Sequence, residues 1–173
     1  MIMAHKHGIA FSLGLALLAA SPSPSMAAPS GRSVDQRLLR AAESADLAGA
    51  RAALAAGARP NVRSDGGIPA LLIAARRGDL GLTTALLDRG ADVNAKDGDG
   101  LTALMAATGC YNAEAVKILL AHGANVNAKD NKGVTALGIA RRQHNAETIN
   151  LLKAAGAKDE EQRRPFPTPA GIL

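Results

Sequence analysis

The chain repeats one arrangement of apolar and polar positions four times, at an interval of 33 residues. Three copies align without a gap, and they begin at Ile68, Leu101 and Val134. A more divergent copy precedes them and begins at Asp35. A fixed period of this length is typical of solenoid proteins, in which each copy is one structural unit. One such unit cannot cover its own apolar face, so the copies are expected to stack on one another.

Each copy is interpreted as two short helices followed by a polar segment. In the third copy, Thr102 is placed to cap a first helix that ends near Cys110. A second helix begins at Ala113, and Gly123 supplies the left-handed conformation that stops it. Residues 125–133 are rich in turn-forming residues. They predict a hairpin-like finger that follows the helix pair.

The composition agrees with close packing of helices. The apolar residues are mostly Ala and Leu, and the chain has one Tyr, two Phe and no Trp. Ala and Leu favour helices, whereas sheets are rich in aromatic and β-branched residues. The composition therefore favours an all-helical fold.

The repeated segments resemble ankyrin repeats. The resemblance rests on the period, the Thr-Ala-Leu opening, the Leu-Leu pair, the segment Gly-Ala-Asp-Val-Asn-Ala-Lys-Asp and the closing Gly, and it spans Asp35 to about Asp159. The family's Thr-Pro-Leu-His opening is altered, and its Pro and His are lost. The resemblance implies an all-α repeat solenoid of about four stacked helix-turn-helix repeats with hairpin-like fingers. The ankyrin repeat domain is predicted at 35–158, with repeats at 35–67, 68–100, 101–133 and 134–158.

The resemblance also implies a partner-binding surface, because ankyrin proteins bind through their finger tips and the exposed side of their first helices. The matching finger-tip positions are Asp65, Gly66, Gly98, Asp99, Asn131 and Lys132. The residues that follow each closing glycine are Ile68, Leu101 and Val134. The matching first-helix positions are Arg76, Arg77, Gly109, Cys110, Arg142 and Gln143.

An apolar row flanked by arginines is typical of a protein interface, and the arginines favour a partner with an acidic face. In the alternative interpretation, Ile68, Leu101 and Val134 pack the finger bases, and the arginines are solvated helix ends favoured by the helix dipole.

The N-terminal segment has the form of a secretory signal peptide. An uncharged apolar run at 9–20 follows Lys6. Small residues then suit cleavage by signal peptidase after Ala27, while a cleavage site after Ala28 is less well placed. The run is shorter than the roughly 20 residues of a membrane-spanning helix, so no stable membrane insertion is expected after cleavage. We predict a signal peptide at 1–27, a linker at 28–34 and a periplasmic location, with secretion beyond the periplasm as an alternative.

The end of the chain is predicted to be a flexible tail. Residues 159–173 contain three Pro and carry no period. In the alternative interpretation this segment is a short docking peptide centred on Phe166.

Other chemistry finds little support in the sequence. Without Lys6, the 19 basic and 15 acidic residues leave a charge of about +4, without the dense basic stripe and stacking aromatics of a nucleic-acid binder. The stretch 97–100 resembles the start of a calcium loop, but the later ligands are missing, so no metal or cofactor is predicted. Cys110 is the single cysteine, which excludes an internal disulfide.

The predicted function is a non-catalytic protein–protein interaction module in the periplasm that stabilises, inhibits or localises a partner protein. The first alternative is a dedicated immunity protein or inhibitor of an exported toxin or enzyme. A remote alternative is a thiol-dependent enzyme that uses Cys110 and His144, which occupy adjacent places in neighbouring repeats. The oligomeric state is left open.

Overall fold

The computed structural model describes residues 31–158, which form four stacked helix pairs. The pairs are followed by fingers, and within the described range the fold is the predicted all-α repeat solenoid. First helices pack on first helices and second helices on second helices, which gives two layers. The helices are α1 Gly31–Ser44, α2 Leu47–Ala55, α3 Ala70–Arg77, α4 Leu80–Asp88, α5 Ala103–Gly109, α6 Ala113–Ala121, α7 Ala136–Arg142 and α8 Ala146–Ala154.

Side-chain caps fix where the helices begin. The hydroxyl of Thr102 accepts a hydrogen bond from the backbone N–H of Met105 at 3.4 Å, as the sequence predicts. Every second helix has an Asp or Asn cap that accepts from the N–H three residues on, at 2.9 to 3.1 Å. Such a cap satisfies a donor that the helix itself leaves unpaired. Gly123 has a φ of 82° after α6, which confirms its predicted role as a helix stop.

The core is a continuous strip of Ala and Leu side chains between the two layers. Leu38, Leu104 and Leu119 are among the fully buried leucines, and alanines such as Ala74 and Ala107 lie between them with no exposed surface. Burial of one Leu side chain stabilises the fold by roughly 1.5–3 kcal/mol. The small alanines let successive helix pairs approach closely, so each repeat depends on its neighbours for a covered face.

A row of asparagines links each repeat to the next on the finger side of the second helices. The side-chain oxygens of Asn61, Asn94 and Asn127 accept from backbone N–H groups 31 residues later, at 2.6, 2.7 and 2.7 Å. Asn127 also donates to the carbonyl of Gly156 at 3.2 Å. The asparagine at this position of the first three repeats is therefore a structural residue that fixes the stacking of adjacent repeats.

The fingers are hairpin-like, with isolated antiparallel bridges between Arg63 and Pro69 and between Lys96 and Thr102. The third finger shows the equivalent closing bond, from the N–H of Asp130 to the carbonyl of Val134 at 3.0 Å. The hairpin-like fingers expected from the turn-rich segments are therefore present.

The first helix includes part of the segment that the sequence interpretation assigns to a linker. Helix α1 starts at Gly31, so residues 31–34 of the expected linker at 28–34 are helical, and Val34 is only 1% exposed. The later repeats have a left-handed glycine at the position of Val34, for example Gly67 with a φ of 75°. Because the first repeat carries Val there, the helix continues toward the N-terminus. The predicted signal peptide at 1–27 and tail at 159–173 lie outside the described residues.

Candidate protein-binding surface

The candidate surface has two edges, one at each end of the first helices. At one end lie the finger tips, and at the other end lie the turns between first and second helices. We call these turns the helix-turn row, which comprises residues 43–45, 76–78, 109–111 and 142–144. The 33-residue period brings equivalent positions of this row side by side in successive repeats.

The apolar positions after the closing glycines are half-buried. Ile68 and Leu101 pack against the core, and Val134 is also partly covered. The carboxylate of Asp97 accepts from the N–H of Leu101 at 2.9 Å, and Asp130 makes the equivalent bond to Val134 at 2.8 Å. The side chains of Ile68 and Leu101 therefore pack at the bases of the fingers, and only part of each of the three side chains faces solvent.

The same contacts explain the acidic stretch that superficially resembles a calcium loop. The carboxylate of Asp97 also accepts from the N–H of Asp99 at 3.0 Å, so it caps the turn of its own finger. Within residues 31–158, no group of three or more metal-ligating side chains converges. None of the helices in this range is long and apolar enough to cross a membrane.

Three of the predicted finger-tip residues connect neighbouring fingers. Asn131 donates through its side chain to the carbonyl of Gly98 at 3.0 Å, and its N–H donates to the carbonyl of Asp99 at 3.0 Å. Gly100 permits this approach, since a Cβ there would lie 2.9 Å from the backbone nitrogen of Asn131. The tips of the second and third fingers are thus held together, while the side chains of Asp99 and Lys132 remain exposed. Asp65 and Gly66 are exposed at the tip of the first finger.

Four of the predicted first-helix positions take part in bonds between repeats. The amide of Gln143 donates to the carbonyl of Gly109 at 2.8 Å, and the thiol of Cys110 donates to the carbonyl of Arg76 at 3.0 Å. Cys110 and Gln143 hold equivalent positions, so the two bonds are one contact repeated along the stack. The period shows that these residues are equivalent but does not reveal which backbone groups they reach.

The arginines of the helix-turn row are exposed. Arg76, Arg77 and Arg142 all face solvent. Among residues 31–158, Arg59 forms an ion pair with Asp35, and Lys117 forms ion pairs with Glu114 and Glu147. None of these pairs involves an arginine of the row. The helix-turn row therefore offers a partner three positive charges. Two of them lie in the second repeat and one in the fourth, on either side of the third repeat.

The family model for ankyrin repeats (3 copies) matches residues 38–130 and 71–163, which together span 126 of 173 residues (163 − 38 + 1). The chain belongs to the ankyrin repeat family. No curated protein matches the chain. Ankyrin repeats indicate a protein–protein interaction module.

The exposed Tyr111 of this ankyrin repeat protein is missed by the sequence interpretation. Its side chain is the one large hydrophobic group exposed among residues 31–158, at 60%. Tyr111 has a φ of 57°, at the position where the preceding repeat has Gly78 with a φ of 74°. A side chain in this left-handed region costs roughly 1–2 kcal/mol. Alignment of Tyr111 with Gly78 is the signal that could have identified it.

The geometry gives no support to a Cys110–His144 catalytic pair. The thiol hydrogen of Cys110 is directed to a carbonyl of the preceding repeat, whereas His144 lies in the following repeat. No hydrogen bond joins these two side chains in the part of the chain that the structure describes. A nucleophilic dyad requires that contact together with a group that orients the base.

Proposed function

We propose that this ankyrin repeat protein is a periplasmic, non-catalytic binding protein that holds an acidic partner protein against its helix-turn row and finger tips. Binding would stabilise, inhibit or localise that partner. The proposal of a periplasmic site rests on the form of residues 1–27, in which a basic start, an apolar run and small residues precede a cleavage site.

The observation that carries the proposal is the exposure of Arg76, Arg77 and Arg142 without an ion pair among the described residues. An arginine at a protein interface forms planar, bidentate bonds to carboxylates, which gives directional recognition. In the layer of second helices, by contrast, the carboxylates of Glu114 and Glu147 lie around Lys117. The two layers therefore differ in the charge that they offer a partner.

The test is crosslinking of the tagged, exported protein in the envelope fraction, followed by identification of the captured proteins. We expect one partner to be captured by the wild type and lost from an Arg76→Glu/Arg142→Glu variant. N-terminal sequencing of the purified protein determines whether cleavage follows Ala27.

The matched control reverses two charges on the second-helix layer, at Arg51 in α2 and Lys153 in α8, both of which are exposed. The Arg51→Glu/Lys153→Glu variant has the same net charge as the test variant and should keep the partner. Capture that is lost equally in both variants would show that net charge, and not the helix-turn row, determines binding. Capture that is unchanged in the test variant would contradict the proposed surface.

A further inference from the structure

The helix-turn row contains a notch at its third repeat. Gly109 lies where the neighbouring repeats carry Arg76 and Arg142, so the row reads arginine, glycine, arginine. A Cβ added at Gly109 would meet no atom within 4 Å, so the space above its backbone is open. At the notch, Gly109 therefore presents backbone without a side chain, and the equivalent position of each neighbouring repeat carries an arginine.

Tyr111 follows Gly109 by two residues in the same turn. The turn is closed by a bond from the N–H of Asn112 to the carbonyl of Ala107 at 3.1 Å. Equivalent bonds close the other three turns, for example from Asp79 to Ala74 at 3.1 Å. This shared bond holds the residue before the cap in the left-handed conformation, and at Tyr111 it presents an aromatic ring to solvent.

An exposed tyrosine among arginines is the composition of an interface hot spot. The ring supplies apolar contact area with few rotatable bonds, and the guanidinium groups supply charge. The flanking charges lie one repeat away on each side, and packed helices are about 8–10 Å apart. An extended segment in the polyproline II conformation has three residues per turn and advances about 3.1 Å per residue, so side chains three residues apart share a face and roughly span the distance from the notch to either arginine.

We propose that the notch formed by Gly109 and Tyr111 binds an apolar side chain of an extended acidic segment of the partner, with a carboxylate three residues before it and another three residues after it. This inference rests on the proposed function and specifies the partner's recognition sequence. The carboxylates pair with Arg76 and Arg142, and the apolar side chain lies over Gly109 against the Tyr111 ring.

The test measures binding of fluorescent peptides to the full chain by anisotropy. The probe peptide places Leu midway between two Glu residues, with two Ser or Gly residues as spacers on each side. A second peptide replaces the Leu by Ser, and a third replaces both Glu by Gln. We expect the first peptide to bind at least tenfold more tightly than either of the others.

Two variants separate the notch from general electrostatic attraction. Gly109→Arg fills the notch while it adds a positive charge, and the glycine lies outside the left-handed region, so the fold accepts the change. We expect it to weaken binding of the Leu peptide at least tenfold, whereas attraction by charge alone would strengthen binding. Tyr111→Gly should weaken binding similarly and leave the melting temperature unchanged or higher, because glycine suits the left-handed turn. Ala45→Gly, at the equivalent turn of the first repeat, should leave binding unchanged.

Equal binding of the Leu and Ser peptides, or tighter binding by Gly109→Arg, would overturn the inference. Failure of the Leu peptide to bind would also overturn it, while a partner captured by crosslinking and lost from the Arg76→Glu/Arg142→Glu variant would leave the proposed function standing. The two proposals therefore fail by different measurements.

Discussion

The carboxylate of Asp35 is held by Arg59, and removal of this carboxylate should destabilise the first repeat. Its oxygens accept from the backbone N–H of Arg59 at 2.8 Å, from Nε at 2.8 Å and from a terminal guanidinium nitrogen at 2.7 Å. The Asp35 side chain is 7% exposed, whereas that of Arg59 is 78% exposed. The contact therefore buries the anion and leaves most of the cation in water.

An Asp35→Asn variant keeps one acceptor oxygen but turns an N–H₂ group toward the guanidinium, so it loses the two charged contacts. A hydrogen bond to a charged group contributes about 1.5–3 kcal/mol, and the freed guanidinium regains bonds to water. We therefore expect a loss of about 2 kcal/mol in the free energy of unfolding. Urea denaturation followed by circular dichroism measures it, and Glu43→Gln, an exposed change on the same helix, is the control.

The loss should depend on pH. Burial raises the pKa of Asp35, but the hydrogen bonds and the positive charge of Arg59 outweigh it and hold that pKa below its ordinary value. A group whose pKa is lowered by folding stabilises the fold above its unfolded pKa, and this contribution is lost as the pH falls through the folded pKa. The difference between wild type and Asp35→Asn should thus be constant near neutral pH and shrink below about pH 4. A difference that is absent at neutral pH, or that persists undiminished into strong acid, would refute the reasoning.

Three further changes probe the stacking and the turns. Asn94→Ala removes the acceptor that the N–H of Asn125 reaches at 2.7 Å, and it should lower the free energy of unfolding by about 1 kcal/mol in urea denaturation. Gly100→Ala should lower it by at least about 1 kcal/mol, because the glycine has a φ of 79° and a Cβ would collide with Asn131, and a stable variant would contradict that geometry. Ala45→Gly should raise the melting temperature, because release of about 1–2 kcal/mol of left-handed strain exceeds the roughly 0.5–1 kcal/mol of added chain entropy.

The sequence predicts the repeat architecture because the forces that shape it are local and periodic. The cap at Thr102 and the stop at Gly123 depend on residues within one turn of helix, and both are found where they are predicted. The period places the start of the first repeat at Asp35, whereas α1 begins at Gly31, because Val34 replaces the finger glycine of the later repeats. The 33-residue period does not mark where α1 begins, because that start depends on the absence of a turn-forming glycine at position 34.

The contacts between repeats are less predictable than the repeats. Asp35 and Arg59 are 24 residues apart, and neither position carries a pattern that pairs them. Cys110 and Gln143 align as equivalent surface positions, but only the stacked backbone shows that both donate to a carbonyl of the preceding repeat. The spacing of a motif indicates which residues share a face, whereas the partner atom depends on the offset between neighbouring repeats.

These contacts divide the predicted surface into residues that hold the stack and residues that remain for a partner. A polar side chain already bonded to the preceding repeat gives a partner little net gain, since a new bond must replace an existing one. Gln143 and Asn131 are of this kind. The arginines of the helix-turn row are exposed without an ion pair in the described chain, and the Tyr111 ring has apolar surface still to bury. Binding energy should therefore concentrate near the third repeat, between Arg76 and Arg142.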